Sequence, residues 1–187
     1  MRKIVFATSN PHKVEELNAI INNPEITFIL PPEGFDPVES GETFEENSYI
    51  KAKEANRLTG LPALADDSGL CVDVLEGAPG VHSARYAPTP QAAIDKLLDA
   101  LKNAADRKAK FVCAMTLLDA DGSVISQSLG ECHGEISLEP RGANGFGYDP
   151  VFIVEGTDLT MAELTEDEKN KISHRARALA KISSYFC

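Results

Sequence analysis

The chain has 187 residues, of which 43 % are hydrophobic and 25 % charged, so it is long enough to bury a real core and too apolar for a disordered chain. Aspartate and glutamate number 29 against 18 lysine and arginine, giving a net charge of -11. Such a balance argues against a general nucleic-acid or membrane-surface binder, but leaves room for an anion held locally by lysines and a divalent cation.

Cys71, Cys113, Cys132 and Cys187 are dispersed and form no C-x-x-C pair, so reduced structural thiols in a cytoplasmic protein are expected rather than zinc. The opening apolar run, Ile4 to Ala7, is too short for a signal peptide, and no stretch reaches the roughly 20 apolar residues of a membrane span.

In chain order, Lys3 to Ala7 is β-branched and aromatic and reads as a buried strand. The polar turn Thr8 to His12 follows, then a helix to about Asn22 with Val14, Leu17, Ile20 and Ile21 on one stripe. Ile26 to Leu30 is a second strand, which completes a β-α-β opening. Beyond a loop over 31–41, Thr43-Phe-Glu-Glu46 matches a capping box, and Gly60 with Pro62 ends that helix near Leu58.

Leu61 to Ala65 predicts a short strand stopping at Asp66-Asp67-Ser68-Gly69, and Leu70 to Leu75 a separate one. Ser83 to Ala87 reads as a loop, and Pro90 to Asn103 as a helix. Phe111–Leu118 and Val124–Leu129 form a hairpin about Asp121-Gly122. Glycine and proline rule out a regular element over 142–150. A second capping box, Thr165 to Glu168, opens the helical C-terminus.

Four segments could carry chemistry. Thr8, Ser9, Asn10 and Lys13 lie where a strand gives way to a helix, whose free N–H groups and positive dipole end favour an anion; an ordinary helix cap is the alternative. Asp66 and Asp67 are adjacent carboxylates between apolar runs. A bound cation relieves their repulsion, and Mg²⁺ takes one or two carboxylates and fills its other positions with water and phosphate oxygens. A plain turn is the alternative there. Gly145 to Pro150 offers close backbone approach at the glycines, flat rings at Phe146 and Tyr148 for stacking, and an acceptor at Asp149. Lys169, His174 and Arg175 are basic donors, with Ser173 placed to cap a new helical turn. A glycine-rich surface loop and a solvated helix face are the alternatives for these last two. The conjunction describes a nucleoside triphosphate site. There is no Walker loop, no Gly-x-Ser-x-Gly elbow and no His-Glu-x-x-His.

The stretches Thr8–Lys13, Glu42–Asn47 with Lys51-Ala52, Ala65–Leu70, Pro79-Gly80 with Ser83–Tyr86, Gly145–Pro150, and Ala162–Leu164 with Glu168-Lys169 and Ser173–Arg175 occur in the order seen in the inosine/xanthosine triphosphate pyrophosphatases. The chain resembles that family over nearly its whole length. The resemblance implies an α/β fold: a mixed central sheet in two lobes, with a nucleotide-binding cleft between them, over residues 1–187. It implies a Mg²⁺-dependent hydrolase that converts non-standard purine nucleoside triphosphates (ITP, dITP, XTP) to monophosphate and pyrophosphate, and a homodimer.

By residue, the resemblance assigns Thr8, Ser9, Asn10, Pro11, His12 and Lys13 to the triphosphate. It makes Asp67 the proton acceptor and a metal ligand, and puts Ser68 on substrate. Phe146, Gly147, Tyr148 and Asp149 line the base pocket, and Lys169, His174 and Arg175 complete the contacts. The family often carries paired acids just before the glycine equivalent to Gly41. Here Val38 stands beside Glu39, which leaves Glu39 as the second metal ligand. Many members have Gly where Ser9 stands.

A buried donor aimed at the 6-oxygen, His174 or a backbone N–H near Phe146, would face another donor in ATP and so reject it. The competing readings are a pyrophosphatase for modified pyrimidine nucleotides and a non-catalytic nucleotide sensor.

Overall fold

The computed structural model describes residues 1–186, the side chains of His12, Glu16 and Ala19 excepted. Among these, six strands form one sheet in the order β2-β1-β3-β4-β5-β6. The strands are β1 (Arg2–Phe6), β2 (Ile26–Ile29), β3 (Ala63–Val72), β4 (Lys108–Leu118), β5 (Val124–Ile136) and β6 (Phe152–Val154). The helices are α1 (Pro11–Ile21), α2 (Phe44–Thr59), α3 (Pro90–Ala100), α4 (Glu166–Ile172) and α5 (His174–Ile182). β1 runs parallel to β2 and β3, whereas β5 and β6 are antiparallel. The sheet is therefore mixed and the fold α/β, as expected.

The chain divides into two compact units, residues 1–67, 113–129 and 178–187 in the first, and 68–112 and 130–177 in the second. In the first unit, Ile4, Phe6 and Leu64 face Val14 and Leu17 of α1, while Val5, Ala63 and Ala65 face Ala52 and Ala55 of α2. This is the two-sided burial of a parallel strand set. The second unit has its own core around Leu70, Leu97, Phe111, Phe152 and Met161.

The local signals at α2 hold. Thr43 accepts from the Glu46 N–H, Glu46 reaches back to the Thr43 N–H, and Gly60 closes the helix in the left-handed region at φ 65°. Removing a Ser or Thr cap of this kind costs about 1 kcal/mol.

Three expectations fail. The strand over 61–65 does not stop at Asp66, nor does a new one begin at Leu70: β3 passes unbroken through Asp66-Asp67-Ser68-Gly69. Turn-like composition lost to position, because β3 runs on beside β4 after β1 has ended, and that pairing outweighs local preference. Ser83 to Arg85 belongs to a 3-10 helix over Gly80–Arg85 rather than a loop. β5 continues past Leu129 to Ile136 and pairs there with β6, a strand too short to leave a periodic signal. Of the cysteines, Cys71 and Cys132 are free thiols and Cys113 is buried, while Cys187 lies outside the described residues.

Candidate active site

β1 pairs with β3 in a register that sets Phe6 opposite Leu64. β1 then ends, and β3 runs on through Asp66 and Asp67. Both acids thus emerge beside Thr8 and Ser9, at the carboxyl end of β1, the kind of strand end where α/β sheets take ligands.

Consecutive residues of a strand point to opposite faces. Asp66 shares the face of Leu64, toward α1, and Asp67 shares the face of Ala65, toward α2. Each helix answers with a lysine. Lys13 donates to both Asp66 oxygens at 3.3 and 3.2 Å, and Lys51 donates to Asp67 Oδ1 at 2.8 Å. Two buried neighbouring carboxylates, 3 % and 8 % exposed, are thus tolerated because each has its own cation.

Lys51 also reaches Glu39 Oε1 at 3.5 Å, so one ammonium sits between two carboxylates. Burial by itself would lower the Lys51 pKa, but Asp66, Asp67 and Glu39 together raise it. For Asp67 burial dominates and pushes the carboxyl above its ordinary range, against the pull of Lys51. The second oxygen, Asp67 Oδ2, is buried and has no hydrogen-bond partner. An ionised carboxylate accepts through both oxygens, so an unused buried one marks a place where a ligand is missing.

A cavity of about 250 Å³ opens here, lined by Thr8, Ser9, Lys13, Glu39, Lys51 and Asp66 with Phe35 on its apolar side. α1 begins at Pro11 with no acid in its first turn, which leaves its positive end uncompensated. Lys13 is half-buried at the rim and can follow an anion. The side chain of His12 lies outside the described residues. A larger cavity, about 630 Å³, lies beside Arg107, Glu135 and Arg141. Arg107 is spent there on the carbonyls of Leu101, Ile136 and Ser137, so volume alone does not mark a site.

The second unit assembles the other set. Gly145 stands at φ 74°, and a side chain there would collide with the Asp149 carboxylate. Asp149 Oδ2 accepts from the Phe146 N–H at 2.9 Å and from Lys169. The carboxylate named as a base acceptor therefore also ties its own loop, and the Phe146 N–H, a candidate donor to a 6-oxygen, is committed to it. Phe146 itself is 63 % exposed with the Lys169 ammonium 4.8 Å from its ring centre, so its face is open to a flat partner. Ser173 caps α5 by accepting from the Ala176 N–H. His174 and Arg175 then open that helix, both buried, with the imidazole stacked on Phe111 at 5.0 Å.

Tyr148 is buried and donates to the Ser83 carbonyl at 2.9 Å; burial pushes its pKa up to about 12. The phenol keeps its proton in the folded state after the unfolded chain has lost it, so this contribution is full below the ordinary value of 10.0 and is lost as pH rises through about 12. Tyr148→Phe should cost about 1 kcal/mol at neutral pH, and the gap to wild type should shrink on strongly alkaline titration. Urea unfolding of both proteins against pH checks this; a constant gap would contradict it.

Sequence reasoning gave no role to Lys51 or Asn47. Their i, i+4 spacing on α2 was the available signal, since it places both on one face.

The Ham1 family matches residues 4–185. A protein of Parasynechococcus marenigrum named dITP/XTP pyrophosphatase is 47 % identical, over 97 % of this chain and 93 % of that one. A Treponema denticola protein of the same name is 48 % identical, over 98 % and 97 %. Among solved structures, a HAM1 protein from Coxiella burnetii superposes with a TM-score of 0.91 at 44 % identity, covering 99 % of this chain and 98 % of that one.

Proposed function

This chain belongs to the Ham1 family, and from that premise we propose that it hydrolyses non-standard purine nucleoside triphosphates, dITP, XTP and ITP, to the monophosphate and pyrophosphate. One observation carries the reading: Asp67, buried on an unbroken strand beside a lysine-lined anion cavity, has one oxygen on Lys51 and the other on nothing.

A divalent cation fits that arrangement. Lys51 already shows that positive charge is stable between Asp67 and Glu39, and the unpartnered Oδ2 leaves Asp67 a free ligand atom. Mg²⁺ is content with one or two carboxylates when phosphate and water supply the rest. Bound by Asp67 and Glu39, Mg²⁺ would supply charge neutralisation at the phosphate oxygens.

The chain's own groups do the remainder. Thr8, Ser9, Asn10 and the start of α1 cradle the phosphates through N–H and hydroxyl donors. Lys13 neutralises the departing pyrophosphate, and Asp66 keeps its ammonium aimed at the cavity. Asp67 takes the proton of the water that attacks the α-phosphorus. Ser68 touches the substrate. Phe146, Gly147 and Tyr148 take the base, with Lys169, His174 and Arg175 as flanking donors. A homodimer in the cytoplasm completes the proposal, on the strength of the family resemblance; no helix among the described residues is long and apolar enough to cross a membrane.

Turnover of dITP in ¹⁸O-water tests the site of attack. Label in the nucleoside monophosphate is expected; label in the pyrophosphate would place attack on the β-phosphorus and contradict the assignment.

A further inference from the structure

Asn47 is the fourth residue of α2 and is wholly buried. Both facts are unfavourable. A short amide competes with the helix for backbone partners, and a buried one needs its donors and acceptor satisfied. Half of this amide is used: Oδ1 accepts from the Gly41 N–H at 2.8 Å. The loop is pressed tightly there, because a side chain on Gly41 would sit 2.7 Å from that same Oδ1 and 2.7 Å from Glu46 Cβ. The other half, Nδ2, has no partner. A leucine would fill the position but leave the Gly41 N–H without its acceptor, so packing alone does not account for the amide.

Its neighbours do. Asp67 Oδ2 is a second orphan, a buried acceptor without a donor, and Asn47 and Lys51 stand one turn apart on one face of α2. Lys51, one turn further along α2, holds the other oxygen of that carboxylate and the Glu39 carboxylate as well. Glu39 lies two residues before Gly41, on the stretch that Asn47 Oδ1 ties down.

We propose that Asn47 is a positioning residue for the hydrolysis: its carbonyl end fixes the Gly41 backbone, and with it Glu39, across from the Asp67 carboxylate that Lys51 of the same helix holds. The two carboxylates that hold the cation are thereby set at a constant separation, whichever group lies between them. This rests on the reading of Asp67 and Glu39 given above. Side chains that orient ligand carboxylates typically affect metal affinity by about 10–100-fold when removed, and a misplacement of about 1 Å at a reacting group costs on the order of 10²-fold in rate.

The test uses Asn47→Leu, which keeps the volume and removes the bond to the Gly41 N–H, and Gly41→Ala, whose added methyl presses on Asn47 Oδ1 while residue 47 stays an asparagine. Mn²⁺ titration of the free protein and steady-state kinetics with dITP are read for each, beside Asp67→Asn. Both variants should bind Mn²⁺ roughly tenfold or more weakly. Their kcat should drop about 10²-fold while KM for the nucleotide stays within about threefold, since the phosphate and base contacts are untouched. Should Asn47→Leu fail to fold, Gly41→Ala decides alone. Wild-type Mn²⁺ affinity and kcat in the folded variants, or a loss confined to KM, would overturn the proposal and leave the role of Asp67 standing. Near-normal activity in Asp67→Asn would instead overturn the underlying reading.

Discussion

Asp67→Asn should leave a folded protein whose kcat with dITP is lower by about 10³-fold or more, the scale on which removal of one centrally placed charge-stabilising group acts. The substitution keeps shape and volume. It removes the proposed proton acceptor, and it takes the charge from the one carboxylate beside the cavity that has a buried oxygen without a hydrogen-bond partner among the described residues. Fold is kept because burial already works against the ionised form at this position.

The sign can be followed with pH. The folded pKa of Asp67 lies above its unfolded value, so below the unfolded value both states are protonated and there is no penalty. As pH rises through the window between the two, the unfolded chain ionises first and the folded state loses stability; above it the wild type carries the full cost of a desolvated charge. Asparagine does not titrate. Its stability relative to wild type should therefore rise on passing from acid to neutral pH. Urea unfolding at both ends, with steady-state kinetics, checks the two halves. A variant that kept near-normal turnover would remove Asp67 from the mechanism.

Lys51→Met should lower kcat/KM by about 10²-fold and destabilise the protein by about 3 kcal/mol, the cost of breaking one side of a largely buried ion pair. Lys51 is 13 % exposed at its side chain and Asp67 10 %, so solvent screens the pair little. Without the ammonium, Asp67 and Glu39 repel one another unrelieved. The double variant Lys51→Met/Asp67→Asn should recover much of the stability and none of the activity. That non-additivity identifies a coupled pair. Strict additivity in thermal unfolding would mean the ion pair does not matter to the fold. Lys51 also lines the anion cavity, which Asp67 does not. The lysine thus stands between solvent and the carboxylate, and its movement toward arriving phosphate would expose Asp67.

Much of this was readable in the sequence wherever a local rule governs. The capping boxes at Thr43 and Thr165 and the hairpin at Asp121-Gly122 are decided by neighbours within a few residues, and all three formed. The β-α-β opening follows from apolar periodicity, and Ser173 does cap a new helix at His174.

The aspartate pair shows where local rules stop. Asp-Asp-Ser-Gly has turn composition, yet it lies inside β3, where the neighbouring β4 and the helices on both faces settle the backbone. No spacing rule could have placed Lys13 on one acid and Lys51 on the other, since that depends on which face each carboxylate takes once the strand is continuous. The same continuity separated their roles. Asp66 is the partner of Lys13, and Asp67 faces α2 with an oxygen to spare. Asn47 was legible only as part of a family pattern. Its significance lies in burial and an unmet donor, neither of which a sequence displays.

The central claim is that Asp67 and its lysine-lined cavity hydrolyse a purine triphosphate whose base carries a 6-oxo group. Pyrophosphate release from dITP and XTP with Mg²⁺, beside ATP and beside a chelator control, tests it most directly. Rapid release from dITP and XTP, little from ATP and none with chelator is the expected result. Equal rates with dITP, XTP and ATP, or release that survives the chelator, would contradict it.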